Sequence, residues 1–226
     1  MNAACPLDAP VSNGCEAEHP RKAAPNFMVV ETSFNDARNM VEAFHYSKNL
    51  PRGVATNFGA IENDSLVAVA CYGPPTNRRV SREFLELRRL IKRPGATIIL
   101  SQFLADTLRR LKVQGIAAVV SYADPAQDHH GGIYQATNWI FTKNAHHASG
   151  IYLDENGAHV HDRTVFAKCG TIAQSAVLKI FPNWTVTRPV QPKWRYVMPL
   201  CMRRNKVLEL LKTEAKPYPK PTAPWL

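Results

Sequence analysis

Hydrophobic and polar positions along this chain fall into short blocks of changing period, and the changes of period mark the elements. Residues 1–26 mix Pro, Ala, Asn and Gly without any period and read as a loosely held N-terminal arm. FMVVETS predicts a strand, after which Ser33 or Asn35 caps a helix, DARNMVEAFHYS, with Ala37, Met40, Val41 and Phe44 on one face. VATNFGAIENDSLVAVACYG reads as a hairpin turned at Asn63-Asp64. FLELRRLI predicts another strand, broken by Pro94-Gly95. TIILSQFLADTLRRLKVQG then predicts an amphipathic helix with Ile99, Phe103, Leu104, Leu108 and Leu111 on its apolar side, ending near Gly115. AAVVSYA is a short apolar run of the kind central strands show. The polar loop ADPAQDHHGG leads to a short helix, IYQATN, and a strand, WIFTK. GIYLDENGAHVHDRTV reads as a hairpin turned at Asn156-Gly157, TIAQSAVLKIF as a helix and KWRYVMPL as a late strand. This order predicts an α/β domain over residues 27–204, a mixed central sheet with helices on both faces. Residues 205–226 read as a basic, Pro-rich C-terminal helix and tail, the helix running from Asn205 to Glu214.

Charge narrows the partners. Twenty-eight Lys and Arg against eighteen Asp and Glu give +10 over 226 residues. Such a balance suits a polyanion, because phosphate contacts release counterions. The excess is concentrated. Residues 78–93 hold Arg78, Arg79, Arg82, Arg88, Arg89, Lys92 and Arg93 against Glu83 and Glu86, and Arg203, Arg204 and Lys206 open a second basic stretch. Arg78, Arg79, Arg203, Arg204 and Lys206 are the candidate phosphate contacts; a solvated face and a frayed tail are the plainer alternative. A hydrophobic content of 45% excludes a disordered chain. No apolar run reaches the roughly 18–20 residues that a membrane span needs, so no membrane partner and a cytoplasmic location are expected. Five cysteines (Cys5, Cys15, Cys71, Cys169, Cys201) without CxxC spacing suggest neither a disulfide scaffold nor a zinc site.

A basic strand, a Gly break, a helix, a buried strand and a short helix carrying Tyr134 stand in succession, which is similar to the fold of the GCN5-related N-acetyltransferases. The resemblance implies that two central strands splay apart at a bulge. It also implies that a donor such as acetyl-coenzyme A sits in the gap, with its pyrophosphate on the next helix's N-terminus. Arg93, Gly95, Ala96 and Thr97 would form that phosphate turn, although Arg93-Pro94-Gly95-Ala96 departs from the Arg/Gln-x-x-Gly-x-Gly/Ala pattern.

SYADPAQDHHGGIYQATNW (residues 121–139), FHYSKNLP (44–51) and FLELRRLIKRPG (84–95) together resemble the Mom family of Mu-like bacteriophages. That resemblance implies an enzyme that converts the exocyclic 6-amino group of adenine in DNA to its carbamoylmethyl (acetamido) derivative and so protects phage DNA from host restriction. It further implies double-stranded DNA with the adenine flipped out as partner, the infected bacterial cytoplasm as location, and an iron centre as Fe(II). The family's metal ligands carry over to His45, Tyr46, Asp124 and Tyr134. Tyr134, Asp124, Ser101 and Arg88 are the catalytic candidates. The carbamoylmethyl group contains nitrogen that acetyl-coenzyme A does not bring, which makes a glycine-derived donor attractive. The oligomeric state stays open, a homodimer included.

The residues themselves leave alternatives. A His, a carboxylate and phenols form a hard ligand set suited to iron, yet a His-Tyr pair at a helix end commonly packs and caps, and Asp124-Pro125 commonly starts a turn. Tyr134 alone would be a general acid. His129-His130 reads as a substrate loop or a solvated turn, and the pairs His146-His147 and His159/His161 as structural. Trp184, Trp194 and Tyr196, interleaved with Arg188, Lys193 and Arg195, are candidates for stacking on an extruded base. Two other functions stay in play: an ordinary GCN5-like N-acetyltransferase on a small amine or protein, and a non-catalytic DNA-binding accessory protein.

Overall fold

The computed structural model describes residues 26–51, 53–76, 80–125, 129–144, 151–160, 162–187 and 193–219. Strand β1 (Met28–Glu31) leads into helix α1 (Phe34–Phe44). Ser33 starts that helix by accepting the Asp36 N–H at 3.0 Å, a cap that contributes about 1 kcal/mol. The helix stops at Phe44 rather than continuing to Ser47, because His45 turns extended and caps it. Strands β2 (Thr56–Glu62) and β3 (Ser65–Gly73) form the expected hairpin. Asn63 and Asp64 both take positive φ, 48° and 57°, which short polar side chains tolerate.

Strand β4 (Phe84–Lys92), helix α2 (Leu100–Val113) and strand β5 (Ala118–Ala123) follow. The helix begins three residues later than its apolar pattern suggested, which puts Ser101 in its first turn. Helix α3 (Gly132–Gln135) and strand β6 (Ile140–Asn144) complete the central stretch. Strands β7 (Ile151–Leu153) and β8 (His159–Val160) are shorter than the expected hairpin. The chain then forms helix α4 (Asp162–Cys169) in place of a longer return strand, since Val165 enters an apolar cluster with a helical neighbour. Helix α5 (Gln174–Ile180), strand β9 (Thr185–Thr187), strand β10 (Trp194–Pro199) and helix α6 (Arg204–Leu210) end the described chain.

The main sheet has seven strands in the order β1-β2-β3-β4-β5-β10-β6. Among the described strands only the β4–β5 pair is parallel. Helix α2 buries Phe103, Leu104, Leu108 and Leu111 against one face, with Phe58, Tyr72 and Val119. Helix α1 packs on the other face through Ala37, Met40 and Val41, over Val69, Cys71 and Ile91. Helix α6 lies on that same face, its Val207 and Leu211 set against Phe84, Val120 and Val197. Each large side chain so buried stabilises the fold by about 1.5–3 kcal/mol. The mixed α/β sheet with helices on both faces therefore stands as expected. Strands β7, β8 and β9 form a second, three-stranded sheet with α4 and α5 around Tyr152, Val165, Val177 and Trp184. It is inserted between β6 and β10.

Two features shape the centre. Cys71 pairs with Arg89 while Tyr72 pairs with Leu87, so Arg88 is an extra residue bulged out of β4. Beyond that point β4 and β5 part company: they pair only at Phe84–Ala118, Leu85–Val119 and Glu86–Val120. The C-terminal segment returns along β6, where the Lys216 N–H donates to the Phe141 carbonyl at 2.8 Å and the Tyr218 hydroxyl to the Trp139 carbonyl at 2.6 Å. No helix among the described residues is long and apolar enough to cross a membrane.

Candidate active site

Where β4 and β5 diverge, backbone groups that would have bonded across the sheet need other partners. Ser121 supplies one: its hydroxyl donates to the Leu87 carbonyl at 2.9 Å. Having spent its proton there, Ser121 accepts the hydroxyl of Tyr134, 2.8 Å away. Tyr134 is held by the short α3 helix and by rings on two sides, Trp139 at 5.0 Å and Tyr196 at 4.9 Å between centroids. Burial pushes its phenol up to about 12, against the downward pull of the Ser121 hydrogen bond. It is a neutral donor throughout the physiological range. Gly131 admits this packing, because its φ of 81° and the Tyr196 ring pressed against its Cα leave no room for a side chain.

The gap opens into a cavity of about 800 Å3 lined by Glu86 to Leu90, Ser121 to Asp124 and His129 to Tyr134, with His45, Tyr46, Thr76, Leu100 and Lys193. His45, Tyr46, Asp124, Tyr134 and Arg88, expected from sequence, therefore meet at one place although four separate segments supply them. Lys193 approaches Asp124 at 3.4 Å. The rings of His45 and Tyr46 lie 4.3 Å apart, and that of His129 stands edge-on to Tyr46 at 5.9 Å. Partial burial first, then the charges of Arg89, His129 and Lys193, lower His45 from its usual 6.5 to about 4, so its ring is neutral at physiological pH. Ser47 serves either tautomer of that ring. Its N–H donates to Nδ1 at 3.1 Å, and its hydroxyl oxygen, at 2.8 Å, can accept from an Nδ1–H and so free Nε2.

Other expected residues lie elsewhere. Ser101, Arg93, Gly95, Ala96 and Thr97 are not among the lining residues; Leu100 represents the start of α2 instead. The phosphate turn is already engaged: the Thr97 N–H donates to Glu62 at 3.2 Å, the Ala96 N–H to the Arg93 carbonyl at 3.2 Å, and Pro94 has no N–H to give. Asn26 adds a bond to the same Glu62 carboxylate at 3.1 Å. The Glu62 carboxylate thus holds one N–H of this turn. Arg203, Arg204 and Lys206 lie at the opposite end of the sheet, where the Leu200 N–H bonds the Ala117 carbonyl, away from the cavity rim. Arg78, Arg79, His146, His147, His161 and Arg188 fall outside the described residues.

Of the aromatic stacking candidates, Trp184 is stacked on Phe181 at 4.2 Å and gives its N–H to Glu155 at 3.0 Å, and Tyr196 is fully buried. Neither presents a face to a ligand. Trp194 is partly buried against Phe141.

An iron ion is implied by the family resemblance. Tyr134 holds its hydroxyl against Ser121 at 2.8 Å, a bond it would have to give up to act as a ligand. Three hard donors remain on the cavity wall, the neutral imidazole of His45, the phenol of Tyr46 and the carboxylate of Asp124, and their chemistry suits iron. Among the described residues no group of three or more His, Cys, Asp and Glu side chains is placed to hold a metal ion. Glu86, Thr76 and Ser121 were missed from sequence as site residues, while Arg89 and Lys193 stood out there only as members of basic stretches. A signal existed for two of them: Ser121 interrupts an apolar strand, and Glu86 shares the inward phase of Phe84.

A family model described as the Mom protein family matches residues 26–220, nearly the whole of the described chain. The chain belongs to the Mom protein family. It is 27% identical over 201 residues to the "Methylcarbamoylase mom" of Escherichia phage Mu, covering 81% of this chain and 80% of that protein. Outside the Mom family it is similar to solved acetyltransferases at low identity. The ribosomal-protein-S18-alanine N-acetyltransferase of Escherichia coli matches with a TM-score of 0.46 and 12% identity over 78% of this chain and 96% of that one. A GNAT family acetyltransferase from Elizabethkingia anophelis with acetyl-CoA bound matches with a TM-score of 0.43 and 12% identity, over 77% and 99% respectively.

Proposed function

We propose that this protein is a DNA-modifying transferase of the methylcarbamoylase type. It places a carbamoylmethyl group on the exocyclic 6-amino nitrogen of adenine and so shields phage DNA from host restriction. Membership in the Mom family and the phage Mu relative support the reaction type. The observation that carries it to particular residues is the opening of the sheet at Leu87 and Ser121, with the Tyr134–Ser121 hydroxyl pair at its floor.

The chain's own groups divide the work. Tyr134 holds a proton at its phenol oxygen and hands it to a departing group, with Ser121 keeping the hydroxyl aimed between turnovers. Arg89 and Lys193 give the rim a positive field that favours a phosphate backbone. An adenine inside a duplex must leave the stack to reach this depth, at a cost of a few kcal/mol that backbone contacts offset. Iron, when bound, would be held by His45, Tyr46 and Asp124 and would supply Lewis-acid or redox activation of the donor. With Glu62 holding the Thr97 N–H of the phosphate turn and the transferred group containing nitrogen, the donor is better sought among small glycine-derived molecules than among coenzyme A thioesters.

Nucleoside mass spectrometry of DNA co-expressed with the protein tests this reading. Deoxyadenosine heavier by a carbamoylmethyl group is the expected result. An acetylated amine or protein would favour the plain N-acetyltransferase instead, and unmodified DNA bound tightly would favour an accessory role.

A further inference from the structure

Glu86 is a buried carboxylate that neither the fold nor the chemistry above uses. It is 8% exposed, sits at the last paired position before β4 and β5 separate, and lines the cavity. Burying a carboxylate costs several kcal/mol unless hydrogen bonds and charges compensate. Here they do so on one side only. The Thr76 N–H at 2.7 Å and the Thr76 hydroxyl at 2.8 Å both donate to Oε2, which orients the group and leaves Oε1 as the oxygen without one of these bonds. Its charge reaches two neighbours: it favours the Arg89 cation, which burial disfavours, and adds to the burial that pushes the Tyr122 phenol up to about 12.

The register adds direction. Glu86 shares the phase of Phe84, which packs under α6, whereas Leu87 points to the α2 side with Tyr134. Glu86 and Tyr134 therefore approach the gap from opposite faces of the sheet. An oriented carboxylate oxygen facing a ligand cavity accepts hydrogen bonds and gives none, so it selects an amino group and repels a carbonyl. We infer that Glu86 is the specificity-determining residue that accepts an N–H of the target 6-amino group, with the base entering from the α1/α6 face. The inference rests on the adenine-modifying reading above and assigns the recognition of its substrate to a named side chain.

Fluorescence-anisotropy titrations with short oligothymidylates test it, each with one central adenine, hypoxanthine or unsubstituted purine. The wild-type protein is expected to bind the adenine oligonucleotide about tenfold or more tightly than the hypoxanthine one. In Glu86→Gln the side-chain amide keeps the Thr76 bonds through its oxygen and turns a donor to the cavity, so the preference is lost or reversed towards hypoxanthine. A purely structural Glu86 would lower affinity for all three alike. Should Glu86→Gln fail to fold, Thr76→Val removes one of the two orienting bonds and should weaken the same preference several-fold. A wild-type protein without preference, or a Glu86→Gln protein with the wild-type preference, overturns the inference while leaving the modification reaction standing. Absence of both oligonucleotide binding and modified deoxyadenosine overturns the function together with it.

Discussion

At the scale of single residues, the site depends on where the protons of Tyr134 and His45 sit. Tyr134→Phe removes the hydroxyl that Ser121 accepts but keeps the ring between Trp139 and Tyr196. We expect modification to fall by about 10² to 10⁴-fold and stability by only about 1 kcal/mol. Nucleoside mass spectrometry and a denaturant melt on the same preparation read both. His45 makes a pH-dependent contribution of known sign. Its ring titrates near 4 in the folded chain and near 6.5 when free, so the unfolded chain binds the extra proton first as pH drops. Stability should be level above about pH 6.5 and decline between there and 4, and His45→Gln should flatten that decline in urea melts taken across the range. Gly131→Ala is the costliest small change, combining a strained φ with a collision against the Tyr196 ring. A loss of about 2 kcal/mol or more is expected from the same melts.

At the scale of elements, much was legible in the sequence because period and punctuation agreed. The hairpin at Asn63-Asp64, the α2 stripe of Phe103, Leu104, Leu108 and Leu111, and the buried run ending at Ala123 all appear where the pattern put them. Asp124 and Tyr134 were legible for the same reason, lying just past that strand and in the helix beyond it. Non-local choices were not legible. Nothing local says that β4 stops pairing with β5 after Glu86, that Arg88 is bulged, or that Val165 finds a helical partner rather than a strand. Ser121 and Glu86 acquire their meaning only from that parting of strands. The phosphate turn is a further case: its Gly95 does take a positive φ of 82°, and a distant carboxylate, Glu62, accepts the Thr97 N–H, a contact that nothing local in the sequence announces. Coenzyme A at millimolar concentration should leave the melting temperature unchanged in a thermal-shift assay.

At the scale of the whole molecule, the positive charge is unevenly useful. Lys193, about half exposed at the cavity rim, faces any strand that delivers a base to the gap. Arg203, Arg204 and Lys206 lie at the far end of the sheet. Lys193→Ala should reduce DNA affinity several-fold and make its salt dependence shallower by about one phosphate contact. Joint neutralisation of the three distant cations should alter binding less, as filter binding across a salt series would reveal.

The return of the chain along β6 also bears on how the protein behaves in company. A sheet ordinarily exposes two lateral borders, each a template on which another chain can add a strand. Here the Lys216 N–H and the Thr213 hydroxyl occupy carbonyls of Phe141 and Thr142, so that border is capped by the protein's own last residues. At the opposite border, β1, the Val29 carbonyl accepts from the Arg110 guanidinium at 2.9 Å. Ending the chain at Lys212 would uncover the β6 border and turn a terminated sheet into one that can propagate from it.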